Sequence, residues 1–439
     1  MAETLRDDQR IVVLHSKALT PVSWHDYVEL NRSGIKRTSD SHLTEDPFFK
    51  NFEGKVVADT DYDPKTDEVT NEYFRPGIRK KDLHRSALMM WRTALLGLDD
   101  LSLLDKESAQ ITNQIDRRRV GLVVGSTFSG SDHLSSVNID RVVPSDPMIS
   151  LLARIATAPA MQLDIRGPVM QIGTECASGA TAADIGIRYL TSYREDINPA
   201  ADLMIVGGAD SPISVINTAT FLRGLPGAAT TAEDPEQASK PLDKSADGLV
   251  IGEGAAVLFL ATWAGAKRLG FNKGDVKAEL VAHSSSTHAE TKVLAGHEGT
   301  VDLIEAGLRM AKVQPHEISH VNLHGTGTGE DGREVGAWGE AIDNHGLRRE
   351  NYWLVSTKCT TGHTMGASGA VEAHYATEAL VENTIPPALK LRDPIDETEG
   401  FSLGSPEGKI VLPNIDVVFS TSLGFGGTGT ILGFRKFKP

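Results

Sequence analysis

One of the two cysteines in this chain sits where residue type and context point to chemistry, in the run QIGTECASGATAADIGIRYL. A β-like stretch ends at Cys176, and a helix rich in Ala, Ser, Gly and Thr begins directly after it. At a helix N-terminus the macrodipole favours thiolate, and Ala177, Ser178, Gly179 and Ala180 keep bulk away from an incoming acyl group. Standing alone, a buried cysteine is more often a small hydrophobe. Three further runs change that balance. HVNLHGTGTGEDGREVGA places His324 at a strand end before a Gly/Thr loop, and LVSTKCTTGHTMGASGAVEAH places Lys358 and His363 at the next strand end before a small-residue helix. TSLGFGGTGT then ends in a glycine turn whose backbone N–H groups could face a developing oxyanion. A thiol, two imidazoles and an ammonium are the parts of acyl transfer through a covalent thioester. A core hydrogen bond would explain either histidine singly, and a salt bridge the lysine.

The elements that must position these groups show in the apolar pattern. From Val120 onward VGLVVGS, VMQIGTE, LMIVGGAD and AAVLFLA are short apolar runs separated by helix-length segments. AELVAHS, HVNLHGTG, YWLVSTK and DVVFSTSL repeat the arrangement, with helical stretches near residues 300–312 and 369–382. Such runs predict an α/β protein with a mostly parallel sheet covered on both faces. They also predict two similar halves, residues 1–265 carrying the thiol and 266–439 carrying the histidines and lysine. The first hundred or so residues read as decoration before an amphipathic helix over residues 82–97. Every reactive run lies at a strand's carboxyl end, where ligands collect in open α/β sheets.

Composition narrows the classes. A chain of 439 residues with 40% hydrophobic content can bury two or three domains. Its net charge of -15 argues against non-specific binding to nucleic acid or anionic membrane. Two cysteines exclude a disulfide framework and a Cys-based zinc site, and favour a reducing compartment. The opening MAETLRDDQRIVV has no signal-peptide core, and the most apolar stretch, residues 254–266, is too short to span a bilayer, so the cytoplasm is the expected location. Two motifs mislead. His316 and His320 fit HExxH, but Pro315 precedes them and VNLHG reads as a strand, so they do not share a zinc-binding helix. Gly424 to Gly429 fits GxGxxG, but only ten residues follow, too few for a dinucleotide-binding unit.

At five segments the sequence resembles the β-ketoacyl-acyl-carrier-protein synthases, the elongating enzymes of the thiolase-like superfamily. The segments are TECASGA, ASKPLDKSADGLVIGEGAAV, HGTGT, STKCTTGHTMGASGAVE and GFGGTG, in family order. The resemblance implies a thiolase-like fold of two α/β halves in five αβαβα layers. It implies an acyltransferase that condenses an acyl thioester with malonyl-acyl carrier protein, with loss of carbon dioxide, in fatty-acid-like, polyketide or polyene synthesis.

Residue by residue, the family site carries over onto Cys176 as nucleophile, His324 and His363 as enolate-stabilising donors, and Lys358 as the lysine that orders them. Cys359 stands where the family usually has Ser and is not a second catalytic thiol. The amides of Cys176 and Phe425 match the oxyanion hole, and Phe425 also a gating phenylalanine. Thr326 and Thr328 match pantetheine-binding threonines, Glu334 the carboxylate expected beside Lys358, and Phe128 an acyl-pocket position. No cofactor is implied beyond the phosphopantetheine that the carrier brings. The implied partners are an acidic acyl carrier protein and an identical or related second subunit. Arg79, Lys80, Lys81 and Arg85 are the expected docking patch, with Arg117, Arg118 and Arg119 a second cluster.

The chain also departs from the family pattern. IVVLHSKALTP replaces the usual glycine-rich opening, the spacing from His324 to Glu334 is one residue short, Glu175 stands where Ala is common, and Gly429 where Asn is common. These changes point to a specialised branch. Two other readings remain at this stage: a non-catalytic chain-length-factor-like subunit, which would typically lack the nucleophilic cysteine, and a Cys/His thioester hydrolase.

Overall fold

The computed structural model describes residues 7–30, 32–37, 56–75, 80, 83–131, 151–192, 201–224, 229–288, 296–312 and 317–438. Runs of β-branched and small apolar residues build an 11-stranded sheet. Its strands are β1 Ile11–Leu19, β2 Val120–Gly125, β3 Val169–Ile172, β4 Leu203–Asp210, β5 Gly254–Thr262 and β6 Ala278–Thr287. They continue with β7 Ile318–Asn322, β8 Trp353–Val355, β9 Ser402–Leu403, β10 Val417–Gly424 and β11 Thr428–Arg435. The spatial order is β9-β8-β7-β10-β11-β6-β1-β5-β4-β2-β3.

Read outward from its middle, the sheet repeats itself. From β1, the pairings to β5 and from β5 to β4 are antiparallel, then β4 to β2 and β2 to β3 are parallel. From β6, those to β11 and from β11 to β10 are antiparallel, then β10 to β7 and β7 to β8 are parallel. Within the sheet the two sets join where Val12 lies opposite Glu279 and Val13 opposite Ala278.

Six helices cover the faces: α1 Arg85–Asp100, α2 Arg154–Leu163, α3 Ser178–Thr191, α4 His297–Ala311, α5 Asp331–Asn344 and α6 Ser368–Glu382. Helices α1 and α2 pack on one outer face, where Met89, Trp91 and Leu95 meet Leu122, Ile205 and Phe259. Helices α3 and α6 fill the middle, where Ala183, Ile187, Ala373 and Ala376 lie between Val206 and Leu258 of one strand set and Val418 and Leu432 of the other. Helices α4 and α5 cover the remaining face through Leu303, Trp338, Val321 and Phe419. Five layers result. Fully buried Trp91 anchors the first, and truncating such a side chain to Ala costs about 3–5 kcal/mol.

The N-terminal segment is not decoration. In β1, Val12 and Leu14 point into the α1 layer while Ile11 and Val13 point into the α3/α6 layer, a period of two that buries the strand on both faces. β1 is the hinge strand joining the two sets. A short run followed by a long polar stretch hid this, because burial of a central strand depends on partners far away in sequence. Among the described residues no helix is long and apolar enough to cross a membrane.

Candidate active site

The nucleophile candidate sits in a tight link between β3 and α3. Glu175 adopts a left-handed conformation, φ 49°, which costs a non-glycine residue roughly 1–2 kcal/mol. Ser178 fixes the turn: its hydroxyl accepts from the Thr174 amide at 2.9 Å and donates to the Glu175 carbonyl at 2.5 Å. Cys176 is thereby set just ahead of α3, 7% exposed. The glycines let the middle helices touch: a Cβ on Gly179 would lie 2.8 Å from the Ala370 amide nitrogen, and one on Gly369 2.7 Å from the Ala180 Cβ. Burial opposes the thiolate-favouring helix end expected from the sequence. Burial pushes the Cys176 thiol up to about 12, the Lys358 ammonium opposes this, and Glu175, Asp210 and Glu372 add to it. Glu175 itself is exposed.

The other strand set supplies the bases. His324 and His363 come together as perpendicular rings with centroids 5.2 Å apart. Burial first, then Lys358, holds both imidazoles well below their ordinary value, with His363 adding to the effect on His324. Both rings are therefore neutral. The His363 Nδ1 shares a hydrogen with the Ser368 hydroxyl at 2.8 Å, leaving Nε2 as the nitrogen that can serve chemistry. Its backbone is clamped by the N-terminal half: the His363 amide donates to the Val250 carbonyl at 2.7 Å, and Gly252 donates to the His363 carbonyl at 2.9 Å.

Lys358 Nζ donates to the His324 carbonyl at 2.6 Å, lies 3.5 Å from its Nδ1, and pairs with Glu372. The side chains of that pair are each 2% exposed, so neither ion has water to fall back on. Glu334 is not the lysine's partner, contrary to expectation. Its two oxygens accept from the His324 and Gly325 amides at 2.8 and 2.9 Å, and from the Thr421 hydroxyl. Burial lifts it to about 7 against these donors. This acid lies on the first turn of α5, facing the His324 loop rather than the lysine.

The remaining predicted residues divide. Thr326 and Thr328 lie together in the His324 loop with hydroxyls 2.9 Å apart. Phe425 forms a turn with Gly426 and Gly427, whose φ values of 73° and 75° need glycine, so GFGGTG is a hairpin between β10 and β11. Phe128 packs edge-on against Phe221 at 6.0 Å, in an apolar cluster with Met365 and Phe425. Cys359 is buried in a separate cluster with Tyr27 and Tyr375. His320 lies on β7, buried and pulled down to about 3, on a strand rather than a helix, and His316 lies outside the described residues.

The docking patch loses Arg85. Its guanidinium is spent on the fully buried Glu253, at 2.9 and 2.7 Å, because α1 packs against the sheet there. Arg79 and Lys81 lie outside the described residues, and Lys80 donates to the Asn71 side chain at 2.5 Å. In the second cluster Arg117 pairs with Asp164 and Arg119 with Asp202, leaving Arg118 exposed.

Sequence reasoning missed three groups. Glu372 is the one acidic residue among small residues at the start of α6, a signal that was readable. Ser368 orients His363. Asp210, ending β4, accepts from the Ser126 hydroxyl at 2.5 Å and the Thr127, Phe128 and Gly366 amides at 2.9, 3.0 and 2.7 Å. It ties the Phe128 loop to the segment after His363, and burial holds it up at about 6.

Two strand sets around a shared helix layer, with a thiol from one and paired imidazoles from the other, define a thiolase-like condensing enzyme. The chain matches the family described as "Beta-ketoacyl synthase, N-terminal domain" over residues 27–265 and "Beta-ketoacyl synthase, C-terminal domain" over residues 277–392. The 3-oxoacyl-[acyl-carrier-protein] synthase 2 of Vibrio harveyi is 29% identical over 445 residues, covering 98% of this chain and 99% of the relative. The protein of the same name from Coxiella burnetii is 30% identical over 346 residues, covering 76% and 79%. The solved ishigamide ketosynthase/chain length factor has a TM-score of 0.80 at 22% identity, over 98% of this chain and 100% of that one. The chain belongs to the β-ketoacyl synthase family and is an acyltransferase of the ketosynthase type.

Proposed function

We propose that the protein condenses an acyl thioester, loaded on Cys176, with malonyl-acyl carrier protein to give a β-ketoacyl-acyl carrier protein. The observation that carries this reading is the pair of buried, neutral, mutually perpendicular imidazoles, 5.2 Å apart beside the Lys358–Glu372 pair. Neutral imidazoles donate a hydrogen bond without adding a cation that would trap the enolate. Cys176 loses its proton as its sulfur attacks the thioester carbonyl, and the carrier's thiol leaves with a proton. The amides of Cys176 and Phe425 are the assigned oxyanion donors. The malonyl group then breaks its carboxylate bond, releasing carbon dioxide, and Nε2 donors of His324 and His363 hold the resulting enolate. That carbon attacks the acyl-cysteine carbonyl, the carbon–sulfur bond breaks with sulfur leaving as thiolate, and a proton from water restores the thiol.

Lys358 holds the His324 loop by its carbonyl, and Glu334 holds the same loop by its amides. Thr326 and Thr328 are the assigned pantetheine contacts, and Phe128 shapes the acyl pocket with Phe221. The scheme needs no free cofactor, because the phosphopantetheine arrives on the carrier. An acyl carrier protein is the delivering partner, and a second ketosynthase-like subunit, identical or related, completes a dimer. Residues 1–265 and 266–439 are read as the two repeats of the fold, which fits the mirrored pairing orders about β1 and β6. The departures at Glu175 and Gly429 favour a specialised acyl pathway.

The test is intact-mass spectrometry after exposure to a panel of acyl carriers, with carbon dioxide release from malonyl carrier followed in parallel. Acyl adducts on the wild type, none on Cys176→Ala, and carbon dioxide coupled to a longer product are expected. Adducts that hydrolyse without carbon dioxide release would replace condensation by hydrolysis, and an absence of both would leave a non-catalytic subunit.

A further inference from the structure

A cleft of about 730 Å³ opens between α2, the start of β3 and the segment before α1, and the condensation reaction does not use it. Arg117 immediately precedes β2 and Arg166 precedes β3, so the cleft lies at the amino ends of strands whose carboxyl ends lead to Cys176. A strand of this kind advances about 3.3 Å per residue, which puts the body of the sheet between the two places. Three guanidinium groups line the cleft, from Arg75, Arg117 and Arg166, against one carboxylate, Asp164. Asp164 pairs with Arg117 and accepts Arg166 at 2.9 Å through both oxygens. Arg75 has no carboxylate within ion-pair reach among the described residues: its Nη1 meets the Met161 and Gln162 carbonyls, at 3.5 and 3.4 Å, and its guanidinium donates to the Gln110 side-chain oxygen, so its charge is met by neutral acceptors. The buried Nε of Arg117 has no acceptor among the described residues.

Two surplus cations are thus gathered in one concavity of a protein whose net charge is -15. Like charges held together cost free energy unless an anion joins them, and planar guanidinium forks match phosphate oxygens in pairs. The volume far exceeds that of a bare anion and falls among sites for whole small molecules. The walls supply the rest: Met161, 56% exposed, offers a soft apolar face for a ring. Asp164 itself is held left-handed at φ 56°, a strained conformation that fixes the two arginines it clamps.

We propose that this cleft is a binding site for a phosphorylated nucleoside, with Arg75, Arg117 and Arg166 on the phosphates and the base against Met161. The chemistry is shared by the nucleotide head of coenzyme A and by free nucleoside diphosphates. Calorimetric titration of the whole protein with coenzyme A, ADP and inorganic phosphate separates the sources. Saturable binding of ADP or coenzyme A is expected. It should weaken at least about tenfold, the worth of one charge-assisted contact, in Arg75→Gln, which leaves no carboxylate unpaired, and in Met161→Trp, which fills the cleft from its exposed rim. Tighter binding of coenzyme A than of ADP assigns the ligand to the thioester pool, and equal binding assigns it to free nucleotides. No saturable binding overturns the proposal, as does binding that both variants leave unchanged. Phosphate binding as tightly as ADP also overturns it, because the nucleoside then contributes nothing. Binding lost on alkylation of Cys176 would place the ligand in the condensation site and overturn it as well.

Discussion

The two strand sets put different chemistry in the same topological place. In the N-terminal set the link from β3 to α3, residues 173–177, is short, and its left-handed Glu175 delivers a single thiol to the helix end. In the C-terminal set the link from β8 to α6, residues 356–367, is longer and carries Lys358 and His363 before Ser368 opens the helix. The short link has room for one reactive group held by backbone turns. The long one wraps back onto Val250 and Gly252 of the other half, so that His363 is braced by residues its own half does not contain. On the proposed reading, the repeated strand order carries an acyl-holding side and an enolate-holding side, and the length of these two links and their contacts are part of what distinguishes them.

Cutting the comparison at the thiol has the largest expected effect. Cys176→Ala should lower condensation by roughly three orders of magnitude or more, while carbon dioxide release from malonyl carrier, measured separately, persists because the histidine side is untouched. The reciprocal cut, His324→Ala or His363→Ala, should lower carbon dioxide release by about 10²–10⁴-fold and still allow acylation of Cys176, read by intact mass. If both kinds of variant lose both half-reactions equally, the division of labour is wrong.

Stability sharpens the comparison from another direction. Lys358→Met leaves Glu372 as a buried charge without its partner and should cost about 3–5 kcal/mol, seen as a lower melting temperature. Adding Glu372→Leu should restore most of that stability and none of the activity. The smallest effect concerns Glu175. Burial keeps the thiol protonated up to about 12, so alkylation of Cys176 by iodoacetamide at neutral pH should be slower than for a free cysteine and should accelerate as pH rises. Glu175 raises that value, so Glu175→Gln should move the alkylation profile to lower pH by a fraction of a unit. A profile unmoved or moved upward would remove Glu175 from the site's electrostatics.

That His324, Lys358 and His363 come together was legible before any fold was known, because His324 and Lys358 follow apolar runs and His363 stands in the same small-residue segment as Lys358. What failed has a common cause. Glu334 was matched to Lys358 from separation along the chain, but which carboxylate a buried ammonium meets depends on the approach of α6, and that is Glu372. Arg85 looked like a surface charge because its neighbours are basic, yet α1 turns it inward onto Glu253. The thiol was expected to be acidic from its helix, and burial, which only the fold reveals, pushes it the other way. β1 was set aside for the same reason: nine residues say nothing of which strands will flank them.

The order of amino acids alone determined the alternation of strands and helices, the four reactive side chains and the small residues around them, since these follow from local propensity and apolar spacing. Only the folded chain decided which charges pair, how far the thiol is removed from water, and that a polar N-terminal stretch supplies the strand joining the two sets. Desolvation and charge pairing act through space between segments that only folding brings together, whether 14 residues apart as for Lys358 and Glu372 or 168 as for Arg85 and Glu253, and chain separation does not say which will meet.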